Sequence, residues 1–284
     1  MAMIPNDWLG WVDENVRRGC TQSSMLELMV KAGLDEKMSN QAIVDATLKF
    51  EAGAATHVAA DGPYVYEKSY LKAGNHIKLF DKTVDVAFRI KEPDAALIHN
   101  LLSVEECQAL IKAATPKLKA SKVVNNEGGG MILNEGRTSE GTYFNIREND
   151  LIINIEKRIE ELVGFPIVNG EGLQILHYGP GAEYRPHYDY FNQETPGGLD
   201  CTKKGGQRVI TLIIYLNEVE EGGETMLPEV SLTVSPQRGS AFYFSYFNSL
   251  GQVDKNTFHA SLPVTKGEKW VATKWIRERN YNGQ

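Results

Sequence analysis

The sequence predicts an α+β protein in which a small set of helices precedes a β-rich region, built as an antiparallel β barrel or jelly roll packed against further helices. Two patterns predict this class. Apolar residues recur at helical spacing over the first fifty residues. After residue 166, short β-branched and aromatic runs are separated by turns rich in Gly, Pro and Asn, at residues 173–178, 209–216, 232–234, 241–244 and 270–276.

Three short helices are predicted in the N-terminal segment. Ser24 and Glu27 form a possible capping box for the second helix, which ends at Gly33, and the third helix follows Ser39. The apolar positions at helical spacing are Trp8, Leu9, Trp11, Val12 and Val16 in the first helix, Leu26, Met29 and Val30 in the second, and Ile43, Ala46 and Phe50 in the third. Helices of this size can form a small bundle.

A stretch of small residues, 52–60, is typical of a linker and suggests a domain boundary. We therefore expect a helical N-terminal domain over residues 1–60 and a second domain over residues 61–284, with its β-rich core at about 171–277.

The second domain begins with mixed elements. Residues 84–90 alternate like a strand, Ser103 and Glu106 form a capping box that opens a helix, and residues 149–163 have helical periodicity. Residues 125–130 form a glycine-rich loop.

Composition narrows the function classes. Lys and Arg number 30 against 37 Asp and Glu, a net charge of −7, and no basic cluster is present, which argues against nucleic-acid binding. No long apolar run or signal-peptide pattern occurs, so we expect no membrane association. The odd number of widely spaced cysteines (Cys20, Cys107 and Cys201) favours reduced thiols and a cytoplasmic protein, and the absence of CxxC argues against a zinc finger.

The chemistry centres on two histidines and one aspartate. His187 and Asp189 are two residues apart, which places both side chains on one face of a strand. Without further evidence, a histidine in such a short pattern is more often a hydrogen-bonded core or surface residue of a strand than a metal ligand. A second histidine, His259, completes the two imidazoles and one carboxylate that a non-haem Fe(II) site needs, with three coordination positions left open.

Two lysines lie on the last predicted strand, Lys269 on one face and Lys274 on the other, so that one of them must point inward. A buried lysine needs an anionic partner, and the distal carboxylate of an oxo-diacid whose other end chelates iron could supply it. Alternatively, Lys269 protects the edge of the strand against aggregation.

These motifs occur in a recognisable order. Residues 176–191 contain the His-x-Asp pair, and they are followed by 207–217, 221–225, His259-Ala260, Lys269-Trp270 and 274–276. Together with residues 137–139 and Glu171, the sequence over about 96–277 resembles the prolyl 4-hydroxylase α-subunit family of Fe(II)/2-oxoglutarate dioxygenases.

The resemblance implies a double-stranded β-helix (jelly-roll) catalytic core with flanking helices and iron bound by His187, Asp189 and His259. It also implies that Lys269, Tyr178 and Thr225 bind 2-oxoglutarate. Tyr184, Arg208 and Trp275 match positions near the substrate or the open iron face, although packing roles for the aromatic residues and a salt bridge for Arg208 are the stronger interpretations. The expected reaction uses O2 and releases succinate and CO2, with L-ascorbate restoring oxidised iron.

The resemblance predicts hydroxylation of an aliphatic C–H, foremost of proline in a peptide or protein. The alternatives are a free amino acid, a carrier-bound or ribosomal peptide, and a non-catalytic ligand-binding barrel. We expect a monomer or homodimer. Residues 190–206 and 125–136 are candidate lids or ordinary surface loops. Trp8 and Trp11, with Met25, Leu28 and Met29, could line a docking groove for a partner, but more often such residues form a helical core.

Overall fold

In the computed structural model of the chain, residues 4–17, 20–54, 62–125 and 130–281 are described. The helices are α1 (Asn6–Arg17), α2 (Gln22–Lys31), α3 (Glu36–Ala54), α4 (Val104–Ala114), α5 (Asp150–Val163) and α6 (Pro196–Thr202). Within the described ranges, no helix combines the length and the apolar character needed to cross a membrane.

The N-terminal helices begin earlier than the sequence predicts. The Thr21 hydroxyl accepts a hydrogen bond from the amide of Ser24, so α2 starts at Gln22 and Ser24 lies inside it. Asp35 accepts from the amide of Met38 at 2.9 Å, and α3 starts at Glu36. The predicted starts at Ser24 and Ser39 are therefore wrong, because equally good capping residues precede both of them.

Helices α1 and α2 both pack against α3. Their buried cluster consists of Val12, Val16, Met25, Met29, Ile43 and Ala46, with Trp8 and Trp11 partly buried against it. Met25 and Met29 therefore belong to the core, whereas Leu28 is 51% exposed. The predicted burial of Phe50 and most of the predicted linker lie outside the described residues.

Helix α4 follows its predicted capping signal, and α5 follows its predicted helical periodicity. The Ser103 hydroxyl accepts from the Glu106 amide at 3.2 Å, and the Glu106 carboxylate accepts from the Ser103 amide at 2.8 Å, so the capping box is confirmed. Asn149 caps α5, which ends at Gly164 in the left-handed conformation.

The first strands are β1 (His76–Lys78), β2 (Thr83–Ile90), β3 (Ala95–His99), β4 (Lys119–Ala120), β5 (Lys122–Val124), β6 (Met131–Leu133), β7 (Glu140–Phe144), β8 (Leu173–Tyr178) and β9 (Tyr184–His187). The later strands are β10 (Arg208–Tyr215), β11 (Glu221–Gly222), β12 (Thr225–Leu227), β13 (Leu232–Val234), β14 (Ala241–Ser245), β15 (His259–Ser261), β16 (Val264–Lys266) and β17 (Lys269–Arg277). Every strand predicted after residue 166 is present within one residue of its expected ends.

Antiparallel pairing joins these strands into two main sheets. The larger sheet has the order β1-β2-β3-β14-β10-β17-β8-β7-β4, and the smaller has the order β13-β12-β15-β9. The apolar face of α5 and residues of the larger sheet share one buried cluster. Mostly antiparallel sheets with packed helices fit the predicted jelly-roll core.

Two segments between strands differ from plain loops. Residues 122–133 form a hairpin of β5 and β6, whose connection lies partly outside the described residues. The segment 190–206 contains α6, capped by the Thr195 hydroxyl. The side-chain amide of Gln207 fixes the beginning of this segment. Its Oε1 accepts from the backbone N–H of Phe191, and its Nε2 donates to the Phe191 carbonyl, both at 2.8 Å.

Candidate metal and cosubstrate site

The three predicted metal ligands meet between the two main sheets. His187 and His259 are direct partners in the antiparallel pairing of β9 with β15, and Asp189 follows β9 by two residues. Nε2 of His187 lies 3.7 Å from Oδ1 of Asp189, and Nε2 of His259 lies 3.6 Å from Oδ2. The potential ligand atoms of the three side chains all lie within 4.8 Å of one another.

Both imidazoles are oriented by the backbone. Nδ1 of His187 donates to the carbonyl of Arg185 at 2.8 Å, and Nδ1 of His259 donates to the carbonyl of Thr257 at 2.9 Å. With the proton on Nδ1 in each ring, the lone pair of each Nε2 faces the aspartate. Two such nitrogens and one carboxylate are the donor set of a non-haem Fe(II) centre, so these residues fit the predicted metal.

The charge states of the ligands also suit a metal. Burial, together with the neighbouring His259, lowers the pKa of His187 to about 3, so the ring is neutral at pH 7. Burial alone would raise the pKa of Asp189, but His259, His187, Arg208 and the hydrogen bond from Thr211 bring it below its ordinary value. The site therefore offers a carboxylate and a neutral imidazole, the forms that bind metals.

A small cavity of about 40 Å³ joins this triad to Lys269. Lys269 is 1% exposed, and its Nζ donates to the Ser261 hydroxyl at 2.7 Å. Within the described chain, no carboxylate lies at ion-pair distance from Nζ. Burial lowers the pKa of Lys269 to about 7, although the more distant Glu224 raises it somewhat.

The predicted cosubstrate residues surround Lys269. Tyr178 pairs with Lys269 across β8 and β17, and its ring centre lies 5.3 Å from Nζ. The Thr225 hydroxyl lines the same cavity and accepts a hydrogen bond of 2.8 Å from Tyr215. Gly223, in the predicted segment 221–225, has φ +70°, and a Cβ there would lie 3.4 Å from Cδ of Lys269. This glycine lets the backbone pass close to the lysine stem.

The second lysine of this strand is also buried, so the expectation of a single inward lysine is too simple. Nζ of Lys274 donates to Glu156 of α5 at 2.7 Å and to the carbonyl of Glu171 at 2.5 Å. Lys274 is thus paired on the helix-covered face of the sheet, whereas Lys269 faces the cavity.

Tyr184 stacks directly on a metal-ligand candidate. Its ring centre lies 3.6 Å from that of His187, with 21° between the planes. The guanidinium of Arg137 lies over the Tyr184 ring, 4.6 Å from its centre, and donates to Gln174 and to the carbonyl of Lys122. Burial raises the pKa of Tyr184 to about 12, so its hydroxyl keeps its proton at pH 7.

Arg208 is held by a buried carboxylate. Its Nε and Nη2 donate to the two oxygens of Glu171 at 2.6 and 2.8 Å, and its guanidinium lies 3.8 Å from the Trp275 ring centre. Arg277 donates to the same Glu171 at 2.6 Å and, through Nη1, to the carbonyls of Cys201 and Gly206. Arg208 is thus connected to the segment 190–206, and whether it also contacts substrate stays a prediction.

Two residues that line the cavity each carry a buried donor for which the described part of the chain offers no acceptor. Nε1 of Trp275 and Nε of Arg137 are buried and lack a hydrogen-bond partner among the described residues. Burying such a donor without an acceptor is unfavourable, so both atoms are candidates to bind a ligand's oxygen.

Sequence reasoning missed Thr211, Tyr246 and Ser261. Thr211 and Tyr246 form a hydrogen-bonded chain to Asp189, and Ser261 binds Lys269. A polar residue within the apolar run 209–216 was a usable signal for Thr211. Ser261 follows His259 by two residues, so strand parity could have placed it on the same face.

Comparisons with known proteins agree with this geometry. A family profile for the 2OG-Fe(II) oxygenase superfamily matches residues 173–277, which include all three candidate metal ligands and Lys269. In Arabidopsis thaliana, a probable prolyl 4-hydroxylase 8 is 39% identical over 210 residues, which cover 67% of this chain and 71% of the relative. Prolyl 4-hydroxylase 5 of the same plant is 38% identical over 209 residues, covering 67% and 70%.

One solved structure is similar to this chain in both sequence and fold. The viral collagen prolyl hydroxylase of Paramecium Bursaria Chlorella virus-1, in its 2-oxoglutarate complex, is 32% identical with a TM-score of 0.51, covering 64% of this chain and 95% of that protein.

The fold and site thus define an Fe(II)- and 2-oxoglutarate-dependent dioxygenase. Within that superfamily, the chain belongs to the prolyl 4-hydroxylase family. This confirms the predicted enzyme class and its use of Fe(II), 2-oxoglutarate and O2.

Proposed function

We propose that this enzyme hydroxylates proline residues in a peptide or protein, with a metal centre at His187, Asp189 and His259. The observation that carries the proposal is the single cavity that holds both this triad and the buried, uncompensated Lys269. Fe(II), 2-oxoglutarate and O2 together supply the oxidant that converts a C–H bond into C–OH, with release of succinate and CO2.

Lys269 binds the distal carboxylate of 2-oxoglutarate in this proposal. Its Nζ lies in a dry environment, where a single ion pair is much stronger than at the surface. Ser261, already bonded to Nζ, keeps the ammonium group directed into the cavity. Tyr178 and Thr225 supply hydroxyl groups beside it, so the cosubstrate is oriented by one charge and several hydrogen bonds.

Tyr184, Arg208 and Trp275 form the substrate side of the proposed site. Tyr184 and Trp275 offer flat surfaces for a proline ring, and the unpaired indole N–H of Trp275 can donate to a backbone carbonyl. The guanidinium of Arg208 stacks on the Trp275 ring and orients it, and the ion pair with Glu171 orients Arg208. Water exclusion then depends on these side chains and on the segment 190–206.

A peptide or protein substrate is favoured over a free amino acid by the family and by the relatives named prolyl 4-hydroxylases. The viral relative is described as a collagen hydroxylase, which also indicates a polypeptide substrate. A carrier-bound or ribosomal peptide of a biosynthetic pathway uses the same chemistry and remains the second candidate.

The remaining expectations complete the proposal. Residues 1–60 form a separate helical domain before the dioxygenase domain, L-ascorbate restores the iron after uncoupled turnover, and the enzyme acts in the cytoplasm as a monomer or homodimer. Three widely spaced cysteines in an odd number support the proposed reducing compartment.

The experiment uses anaerobically Fe(II)-loaded protein with 2-oxoglutarate and a library of proline-containing peptides, to which air is admitted. We expect succinate formation coupled to a peptide mass gain of about 16 Da, one oxygen atom, from the open Fe(II) centre. The His187→Ala variant serves as the control. Equal succinate from both proteins would refute the site. In a parallel assay with free amino acids, a mass gain on these alone would refute a peptide or protein substrate.

A further inference from the structure

A buried chain of hydrogen bonds leads from Tyr246 through Thr211 to Asp189. The Thr211 hydroxyl donates to Oδ2 of Asp189 at 2.7 Å, and Oγ1 of Thr211 lies 3.0 Å from the Tyr246 hydroxyl. Thr211 and Tyr246 are both 0% exposed, and Asp189 is 7% exposed. Solvent therefore cannot replace either bond.

The direction of both bonds follows from the chemistry of the groups. An ionised carboxylate only accepts hydrogen bonds, so the single proton of the Thr211 hydroxyl lies toward Asp189. Oγ1 of Thr211 can then only accept from Tyr246, whose phenol donates. Tyr246 thus fixes the rotation of the Thr211 hydroxyl, and Thr211 fixes one oxygen of Asp189.

The chain connects the two main sheets. Thr211 lies on β10 and Tyr246 follows β14, both in the nine-stranded sheet, whereas Asp189 follows β9 of the four-stranded sheet. On β10, the neighbours of Thr211 on the same face, Val209 and Ile213, are apolar. A hydroxyl at this position is favourable only because it is fully hydrogen-bonded.

We propose that Thr211, supported by Tyr246, is a positioning residue that reserves Oδ2 of Asp189 and presents only Oδ1 to the metal. The inference rests on the proposed metal centre. Oδ1 lies 3.7 Å from Nε2 of His187, and Oδ2 lies 3.6 Å from Nε2 of His259, so each oxygen faces one imidazole and these two distances do not select one oxygen.

Binding through one oxygen has a direct functional consequence. Two imidazoles and one carboxylate oxygen leave three of six positions open, enough for the two donor oxygens of 2-oxoglutarate and for O2. If both carboxylate oxygens bound, one of these positions would be lost. The hydroxyl of Thr211 thereby protects the position that the second reactant needs.

The test uses Co(II), whose visible spectrum reports coordination number, titrated into metal-free wild type, Thr211→Val, Thr211→Ser and Tyr246→Phe. Outer hydrogen bonds to metal ligands typically contribute about 10–100-fold in affinity, so we expect a loss of about tenfold or more for Thr211→Val with an altered spectrum. Thr211→Ser should restore affinity and spectrum, and Tyr246→Phe should fall between wild type and Thr211→Val.

Tyr243→Phe is the matched control. Tyr243 is equally buried on β14, and its hydroxyl donates to Asp94, away from the metal triad, so this variant should keep wild-type Co(II) affinity. If Thr211→Val does not fold, the Co(II) affinity and spectrum of Thr211→Ser and Tyr246→Phe still test the positioning role of Thr211.

The outcomes separate the inference from the proposed function. Wild type that binds no Co(II) would refute the metal centre itself. Wild type that binds Co(II), with Thr211→Val equal to it in affinity and spectrum, would overturn the positioning role alone. A weaker affinity with an unchanged spectrum would overturn the one-oxygen assignment, and failure of Thr211→Ser to recover would show that the hydroxyl is not the cause.

Discussion

Each face of β17 carries a buried lysine, and the two lysines differ in whether the folded chain supplies a counter-charge. Lys274 faces α5 and is neutralised by Glu156, itself 1% exposed, within the folded chain. Lys269 faces the cavity, and the described chain offers it a hydroxyl but no carboxylate at ion-pair distance. The comparison teaches that one lysine holds the fold together, whereas the other keeps its charge available for a ligand.

The largest effect should come from breaking the paired face. Glu156→Gln leaves Lys274 buried without its counter-charge, and the loss of one partner of a buried ion pair costs about 3–5 kcal/mol. We expect the free energy of unfolding to fall by that amount in urea titrations. Lys269→Met, which removes a buried charge that lacks a partner, should leave the ligand-free protein as stable as wild type or more stable. An equal loss in both variants would remove the distinction between the faces.

The next effect concerns ligand binding at the cavity face. Lys269→Met should raise the Kd for 2-oxoglutarate by at least about 30-fold, since truncating one member of a buried charge pair costs 2 kcal/mol or more. Co(II) affinity should change by less than about threefold, because Lys269 acts on the distal end of the ligand and not on the metal. Isothermal titration of both ligands checks the two values, and the reverse pattern would mean that Lys269 supports the metal site.

A smaller effect is expected from pH. The pKa of Lys269 lies at about 7 without ligand, and a bound carboxylate raises it, so 2-oxoglutarate binding is linked to proton uptake above pH 7. Affinity should therefore be nearly constant from pH 6 to 7 and then weaken, by up to about tenfold per pH unit. Titrations at pH 6, 7, 8 and 9 measure the slope, and Lys269→Arg, which stays protonated, should abolish it. A slope that Lys269→Arg retains would assign it to another group.

The sequence placed the two lysines on opposite faces of a strand but not their surroundings. Strand parity follows from local geometry, and it is correct for β17. The partner of Lys274 lies 118 residues earlier in the chain, on α5, and only tertiary packing brings it there. That packing also buries both faces of β17, which is why the expectation of one inward lysine was too simple.

In the candidate site too, local sequence patterns predicted some features, whereas features that depend on tertiary contacts were missed. His187, Asp189 and His259 were found because their residue types and order are distinctive, and the capping box at Ser103 was found because it acts within a few residues. Helix α6 was missed because its first turn, with Pro196 and two glycines, resembles a loop, while Arg277 holds its end through the Cys201 carbonyl. Thr211 required knowledge of which strand faces Asp189.

The smallest effect should follow removal of residues 1–60. The triad, Lys269 and Lys274 all lie beyond this segment, so the truncated protein should keep the 2-oxoglutarate Kd within about threefold and its turnover without peptide substrate. A large loss of both would place the N-terminal helices among the supports of the catalytic domain. Insolubility of the truncated protein would indicate the same structural role.

The central claim is that Lys269 recognises the distal carboxylate of a cosubstrate whose oxo-acid end binds at the triad. It is tested most directly by anaerobic titration of metal-loaded wild type and Lys269→Met with 2-oxoglutarate and with pyruvate, which lacks that carboxylate. Wild type should prefer 2-oxoglutarate by at least about 30-fold, and Lys269→Met should bind both acids with similar, weak affinity. An unchanged preference in Lys269→Met would contradict the account.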